Sequence, residues 1–357
     1  MPFRISVVQL TMEPVRQLLE LARAVDRGGF DVLWLGEAYP WWRKHGMEAR
    51  SSTALSALVA AETDRVGVGW GIVSPYTRHP LQIAMEARVV QEVAGEGRFF
   101  LGLGPSKIFM KHIGAGEDAR PLTAMREAVE IVRRTLAGEG FAFTGKEFSA
   151  EVPPLAETAE APRASVPIYV AGTAPRIQRT AGELADGILT ASITTPEFVE
   201  YTLTNLAAGA AVAGRDANDL DLGCVIVASI GEERDRGREG AREIAAMYLA
   251  NKVQNIQGAA DTLLELAGIE QEEIRPVAEA LDRGGRTAAA AAVDDALLDK
   301  CRPIAGTPSD CIAAIEAYRD AGCRHVLLEL WGDDRLRQVD LFAREVLPHF
   351  RDRPAAA

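Results

Sequence analysis

The sequence predicts a (β/α)8 barrel (a TIM barrel), an α/β fold in which parallel strands alternate with helices around a closed ring. Short apolar or alternating runs recur roughly eight times, and a helical pattern follows each one. The turn after the first run, Gln9-Leu10-Thr11-Met12-Glu13-Pro14, contains no glycine. It therefore lacks the dinucleotide fingerprint of a doubly wound sheet, the competing α/β architecture. At 357 residues the chain exceeds an ordinary single core but suits one barrel carrying insertions, so a single domain over residues 1–357 is expected.

Phe3 to Gln9 alternates and reads as the first strand, and Glu13 to Arg27 as an amphipathic helix closed by Gly28-Gly29. Phe30 to Gly36 is the second strand, and Ser52 to Glu62 the next helix. Val66 to Trp70 is the third strand, followed by a Pro-rich turn and helical text from Leu81. Gly97 to Gly104 is the fourth strand. Pro121 to Leu136 is a helix with Met125, Val129, Ile131 and Val132 inward and Arg126, Glu127, Arg133 and Arg134 outward. Residues 137–165 leave the barrel pattern, with Phe141 to Gly145 as a short hairpin arm.

Val166 to Ala171 is strand five, and Gly172-Thr173-Ala174-Pro175 opens its helix, Arg176 to Leu184. Asp186 to Thr190 is strand six with its helix over Pro196 to Ala213, and Leu222 to Ala228 is strand seven. Residues 234–302 are helical text without a strand, too long for one crossover, and form an insertion before strand eight. Gly306 to Asp310 caps the helix Cys311 to Ala321, His325 to Leu330 is strand eight, and a helix over Leu336 to Phe350 closes the pattern.

Composition narrows the functional classes. With 48% hydrophobic and 25% charged residues the chain is an ordinary globular protein. A net charge of −12 argues against nucleic acid or an anionic membrane as partner. No apolar run approaches the ~20 residues of a membrane helix. Met1-Pro2-Phe3-Arg4 enters a strand directly, so no signal peptide and a cytoplasmic location are expected. Cys224, Cys301, Cys311 and Cys323 show no C-x-x-C spacing and read as buried free thiols.

Three motif types are set aside. His45, His79, His112, His325 and His349 lack ligand spacing, so no protein metal site is expected. Gly140 to Lys146 fits G-x-x-x-x-G-K, but Glu147 replaces the Ser or Thr of a phosphate loop and no strand-to-helix context surrounds it. No G-x-S-x-G nucleophile elbow occurs.

In a barrel the chemistry sits where the strands end, at their C-terminal face. After strand three the chain reads Gly71-Ile72-Val73-Ser74-Pro75-Tyr76-Thr77-Arg78-His79-Pro80. After strand four, Gly102-Leu103-Gly104-Pro105-Ser106-Lys107 offers close backbone approach, a hydroxyl and a cation. After strand five, Gly172, Thr173 and Arg176 stand at a helix N-terminus, whose partial positive charge and unpaired donors suit a phosphate. Ser106 and Thr173 could equally be helix caps. Tyr39, Trp41 and Trp42 follow strand two, either as core aromatics or as the wall of a flat-ring pocket. Glu37 ends the same strand, as a solvated carboxylate or as a group that orients substrate and shuttles a proton. Arg78 and His79 either reach the site or brace the loop.

The run G-I-V-S-P-Y-T-R-H-P resembles the third-strand segment of the luciferase-like superfamily of flavin and deazaflavin oxidoreductases, in particular its methylenetetrahydromethanopterin reductase branch. The resemblance extends from strand one through strand eight. It implies a luciferase-like barrel with a non-proline cis peptide at Gly71–Ile72, where Gly71, Ile72 and Val73 support the back of a bent tricyclic ring. It also implies that Gly104, Ser106, Gly172 and Thr173, with Arg176 beside them, hold the cofactor phosphate or the side chain leading to it. Glu37, Tyr39, Trp42 and Lys107 are then the catalytic candidates.

Deazaflavin-dependent sugar-phosphate dehydrogenases of that family carry a His one position after the acid, where this chain has Ala38. They also carry a Glu in the loop after strand four, where this chain has Lys107. His-based alcohol oxidation is thus disfavoured. The resemblance implies coenzyme F-420, an 8-hydroxy-5-deazaflavin, exchanging hydride with a C=N or C=C bond of a small pterin- or folate-like substrate. An FMN-dependent monooxygenase is the alternative, and a non-catalytic flavin-binding barrel a third reading. Related barrels often dimerise, which makes a homodimer the expected assembly.

Overall fold

In the computed structural model the described residues are 2–37, 48–106, 110, 113–114, 119–155, 165–254, 259–332 and 334–351. The strands are β1 Arg4–Leu10, β2 Val32–Gly36, β3 Gly67–Trp70, β4 Phe99–Leu103, β5 Phe141–Thr144, β6 Ser149–Val152, β7 Ile168–Ala171, β8 Gly187–Leu189, β9 Asp221–Ile230, β10 Ile304–Gly306 and β11 His325–Leu330. β1, β2, β3, β4, β7, β8, β9 and β11 pair in parallel and close into a ring, β11 returning to β1. This is the (β/α)8 barrel that the alternation predicts. β10 lies outside the ring against the end of β9, Ile304 opposite Ala228, and the sequence reading missed it.

The helices are α1 Val15–Gly28, α2 Ser52–Ala61, α3 Pro80–Ala94, α4 Pro121–Leu136, α5 Pro175–Leu184, α6 Pro196–Val212, α7 Arg234–Gln254, α8 Ala259–Leu266, α9 Gln271–Ala291, α10 Asp295–Lys300, α11 Pro308–Asp320 and α12 Arg335–Leu341. A π turn, Phe342–Val346, and α13, Leu347–Arg351, interrupt the single final helix that the periodicity suggests. Pro80, Pro121, Pro175, Pro196 and Pro308 each stand at a first helical turn, where a missing N–H costs nothing. No helix among the described residues is long and apolar enough to cross a membrane.

Between ring and helices lies the main core, with Val7, Leu33, Val68, Leu101, Val170 and Ile226 among its buried members. Inside the ring, Val8, Trp34, Tyr169, Leu189 and Leu327 fill the barrel. α7 to α10 have a core of their own, around Ile244, Leu249, Leu263, Ile274 and Leu298, which meets the barrel at Val227 and Trp331. The four cysteines are buried and free.

At the N-terminal end of the ring Asp221 accepts hydrogen bonds from Arg4, from the Tyr169 hydroxyl at 2.8 Å and from His325 Nδ1 at 2.8 Å. His325 Nε2 meets Ser6 Oγ at 2.6 Å. Burial alone would raise the Asp221 carboxyl, but His325, Arg4 and Tyr169 outweigh it and bring it to about 2.

One sequence expectation changes here. Glu127 is not outward: it is 8% exposed, and its carboxylate accepts the N–H groups of Lys146, Glu147 and Phe148 at 2.7–2.9 Å. That carboxylate fills the turn of the β5–β6 hairpin, so the nest of donors inside the G-x-x-x-x-G-K match is taken by the protein's own acid.

Candidate active site

The third strand ends in a cis peptide at Gly71–Ile72. Gly71 N–H still donates to Leu35 O at 2.9 Å, so the chain leaves the ladder only after that residue. It returns at once: Val73 N–H donates to Gly102 O at 2.9 Å, and Gly104 N–H to Val73 O at 3.0 Å. The result is a backbone bulge between β3 and β4, with Val73 fully buried and Gly71 and Ile72 partly open at the mouth.

The glycines around it serve different ends. A Cβ on Gly102 would stand 2.0 Å from the Trp70 carbonyl oxygen, and one on Gly104 2.9 Å from Ile72 Cδ1. Close approach of neighbouring chain therefore demands glycine at 102. A Cβ on Gly71 would meet only Trp34, at 3.4 and 3.6 Å, which is ordinary contact. Packing among the described residues therefore leaves room for a Cβ at Gly71.

The loops that follow are tied together. Ser74 Oγ donates to Pro105 O at 3.0 Å, joining the loop after β3 to the loop after β4. Ser106 adopts a φ of +45° there, and its carbonyl accepts Met110 N–H at 3.0 Å. Glu37 is not a solvated carboxylate. Its side chain is 8% exposed and forms a two-point pair with Arg78, at 2.7 and 2.9 Å, while also accepting Ser52 N–H at 3.2 Å. Burial works against the Arg78 charge, but the bonds to Glu37 and the nearby Glu86 hold its pKa above the usual value. Arg78 therefore braces the second and third loops against each other. His79 braces as well, its Nδ1 accepting Leu81 N–H at 3.2 Å as the cap of α3.

The loop after β7 differs in one respect from expectation. Gly172 N–H is not free, because it donates to Leu189 O at 3.1 Å. The cap of α5 is Ala174, without a side-chain bond, so Thr173 does not cap that helix. Thr173 is half-buried, and its hydroxyl has no partner among the described residues. Arg176 is exposed and lines, with Arg126, Arg179 and Thr180, a cleft of about 320 Å³. Glu183 pairs with Arg126 at 2.6 Å, which leaves a net positive cleft beside the α5 N-terminus.

Tyr39, Trp41, Trp42 and Lys107 lie outside the described residues.

Sequence reading missed one group at the same end of the barrel. Glu329, next to last in β11, follows the alternation of His325 and Leu327, which line the ring interior. It is 1% exposed. Ser192 Oγ donates to its Oε2 at 2.5 Å; Tyr248 Oη, at 2.5 Å, and Trp331 Nε1, at 3.1 Å, donate to Oε1. Burial raises its carboxyl pKa against the pull of these three donors. The available signal was a single carboxylate on the inward face near the end of the last strand.

The family model for luciferase-like monooxygenases matches residues 1–325. The 5,10-methylenetetrahydromethanopterin reductase of Methanopyrus kandleri is 27% identical over 351 residues, covering 94% of this chain and 95% of that protein. An F-420-dependent glucose-6-phosphate dehydrogenase of Rhodococcus erythropolis is 26% identical over 350 residues, with 94% of each chain covered. Among solved structures, the coenzyme F-420-dependent tetrahydromethanopterin reductase of Methanopyrus kandleri superposes with a TM-score of 0.85 at 26% identity, covering 98% of this chain and 100% of that one.

Proposed function

Since the chain belongs to the luciferase-like monooxygenase family and is an oxidoreductase, we propose that it uses coenzyme F-420 to reduce a C=N or C=C bond of a small pterin- or folate-like compound. The observation that carries this reading is the bulge at Gly71–Ile72, with space beside Gly71 that the described residues do not fill. The residues present fit a bent tricyclic ring. Gly71, Ile72 and Val73 offer a backbone surface, and Gly104 and Ser106 edge it from the β4 loop. Thr173, Arg176 and the basic cleft suit an anionic tail. Such a coenzyme supplies hydride exchange at its ring C5; the protein supplies binding, orientation and the handling of protons.

Similarity to a methylenetetrahydromethanopterin reductase over nearly the whole chain supports reduction. So do Ala38 and Lys107, which stand where the family's sugar-phosphate dehydrogenases have His and Glu. Glu37, Tyr39, Trp42 and Lys107 remain the proposed substrate side of the pocket, Glu37 with its orientation fixed by Arg78. The test is oxidation of reduced F-420 by methylenetetrahydromethanopterin and by methylenetetrahydrofolate, monitored under anaerobic conditions as the gain of the oxidised coenzyme's visible absorbance and fluorescence. Turnover with either supports the reading. Oxygen consumption with reduced FMN, and none of the former, would replace it with a monooxygenase.

Thr173→Ala should weaken F-420 by about 1 kcal/mol, one lost hydrogen bond. A deazaflavin truncated before its phosphate should bind the variant and the parent alike. Equal weakening of both ligands in a titration would remove the β7 loop from the phosphate site.

A homodimer is part of the proposal. Met85, Val89 and Val93 recur every four residues on α3 and are 61, 56 and 42% exposed, with Leu58 of α2 46% exposed. A second copy of this apolar face is its natural cover, since C2 interfaces are self-complementary. Met85→Glu with Val89→Glu should convert a dimer to a monomer in light scattering; an unchanged mass would place the interface elsewhere. We read the enzyme as cytoplasmic, acting on a small molecule without nucleic acid or membrane.

A further inference from the structure

Hydride delivered to the carbon of a C=N or C=C bond pushes the π electron pair onto the other atom, which must then gain a proton. Resting on the reduction proposed above, we propose that Glu329 stores this proton and that the Tyr248 hydroxyl passes it from the Glu329 carboxyl to the substrate at the barrel mouth. Glu329 is the inward-facing carboxylate near the end of β11, at the end of the ring where a barrel performs its chemistry. Tyr248 comes from α7, the first helix of the insertion, and is half-buried, reaching from that helix onto Oε1. The groups that face Glu329 are Ser192 from the loop after β8, Tyr248 from α7 and Trp331 just beyond β11. None is a cation, and Glu329 has no ion-pair partner among the described residues.

An acid walled off from water without a counter-charge keeps its proton at neutral pH. The direction of the Glu329 shift agrees. The transfer balances. In the acid form the 2.5 Å contact is a carboxyl O–H donating to the Tyr248 oxygen, which frees the phenol O–H for the substrate. The carboxyl proton moves to the Tyr248 oxygen as the phenol proton moves to the substrate atom that received the electron pair, and a carboxylate remains. Ser192 Oγ–H and Trp331 Nε1–H then hold that carboxylate until a proton from solvent returns through the half-buried Tyr248 hydroxyl. The insertion thereby contributes a working group to the barrel rather than bulk alone.

The test compares the intact enzyme with Glu329→Gln and Tyr248→Phe. In the infrared difference between parent and Glu329→Gln, without any ligand, a protonated-carboxyl carbonyl band should be present; Tyr248→Phe should retain it. With reduced F-420 and methylenetetrahydromethanopterin, both variants should lose about 100-fold or more in kcat, the scale of general acid catalysis. F-420 affinity and thermal midpoint should stay at parent values. The kcat of the parent should fall at alkaline pH, and that fall should be absent in Glu329→Gln. Absence of the carbonyl band, or full kcat in either variant, would overturn the proposal, as would losses confined to stability or KM, which mark a strut. Failure of the parent to bind F-420 in the same titration would instead remove the reduction itself, while the infrared band would still report the state of Glu329.

Discussion

Asp221→Ala is expected to destabilise the protein by about 3–5 kcal/mol at neutral pH, the usual result of breaking a buried charge cluster from one side. The carboxylate is the shared acceptor for Arg4, Tyr169 and His325 at the floor of the ring, and 2% of the residue is exposed. Its removal leaves a guanidinium and a ring nitrogen without their acceptor in a closed space. The effect also has a pH signature. The carboxyl titrates near 2 in the folded chain against 3.8 ordinarily, so it stabilises fully above about pH 4 and ceases to as pH falls toward 2. Urea melts of parent and variant should differ most at neutral pH and converge in acid. Because this cluster lies at the opposite end of the strands from Gly71, F-420 affinity of the folded variant should be unchanged. Equal stability at neutral pH would show that the cluster contributes nothing net.

Gly71→Val should weaken F-420 by roughly 10- to 100-fold, corresponding to about 1–3 kcal/mol of overpacking, and leave the thermal midpoint near that of the parent. The space around the residue sets both effects. Among the described residues a Cβ there meets Trp34 only at ordinary distance, so the barrel tolerates it, and the added methyls would compete with the proposed ring for the bulge surface. Gly102→Ala is the contrasting variant, since its Cβ would run into the Trp70 carbonyl and damage β3–β4 pairing. Unchanged affinity in Gly71→Val would mean that the ring does not rest on the bulge.

Local pattern made much of the fold legible. His325–Leu330 has the predicted bounds because a short apolar run sits between Gly322 and Gly332, both in the left-handed region. The capping box of Thr307 and Asp310 was equally visible in Gly306 to Asp310. β10 was not, because three residues carry too little periodicity to separate them from the helical text before them. Glu127 was misplaced because its partners are backbone N–H groups of a hairpin 19 to 21 residues away, and a helical wheel cannot see them. Glu329 was missed for the same reason on a larger scale. Its partners Ser192 and Tyr248 lie 137 and 81 residues distant, and only closure of the ring and docking of α7 bring them together. The Gly71–Ile72 bulge was reached through resemblance, since nothing in ten residues of local sequence specifies a cis bond.

The claim that most needs a direct test is the identity of the cofactor. Fluorescence titration of the purified protein with F-420, and separately with FMN, addresses it without knowledge of the substrate. F-420 should bind tightly and saturably and FMN weakly, with Gly71→Val impairing the former. Tight binding of FMN and none of F-420 would contradict it.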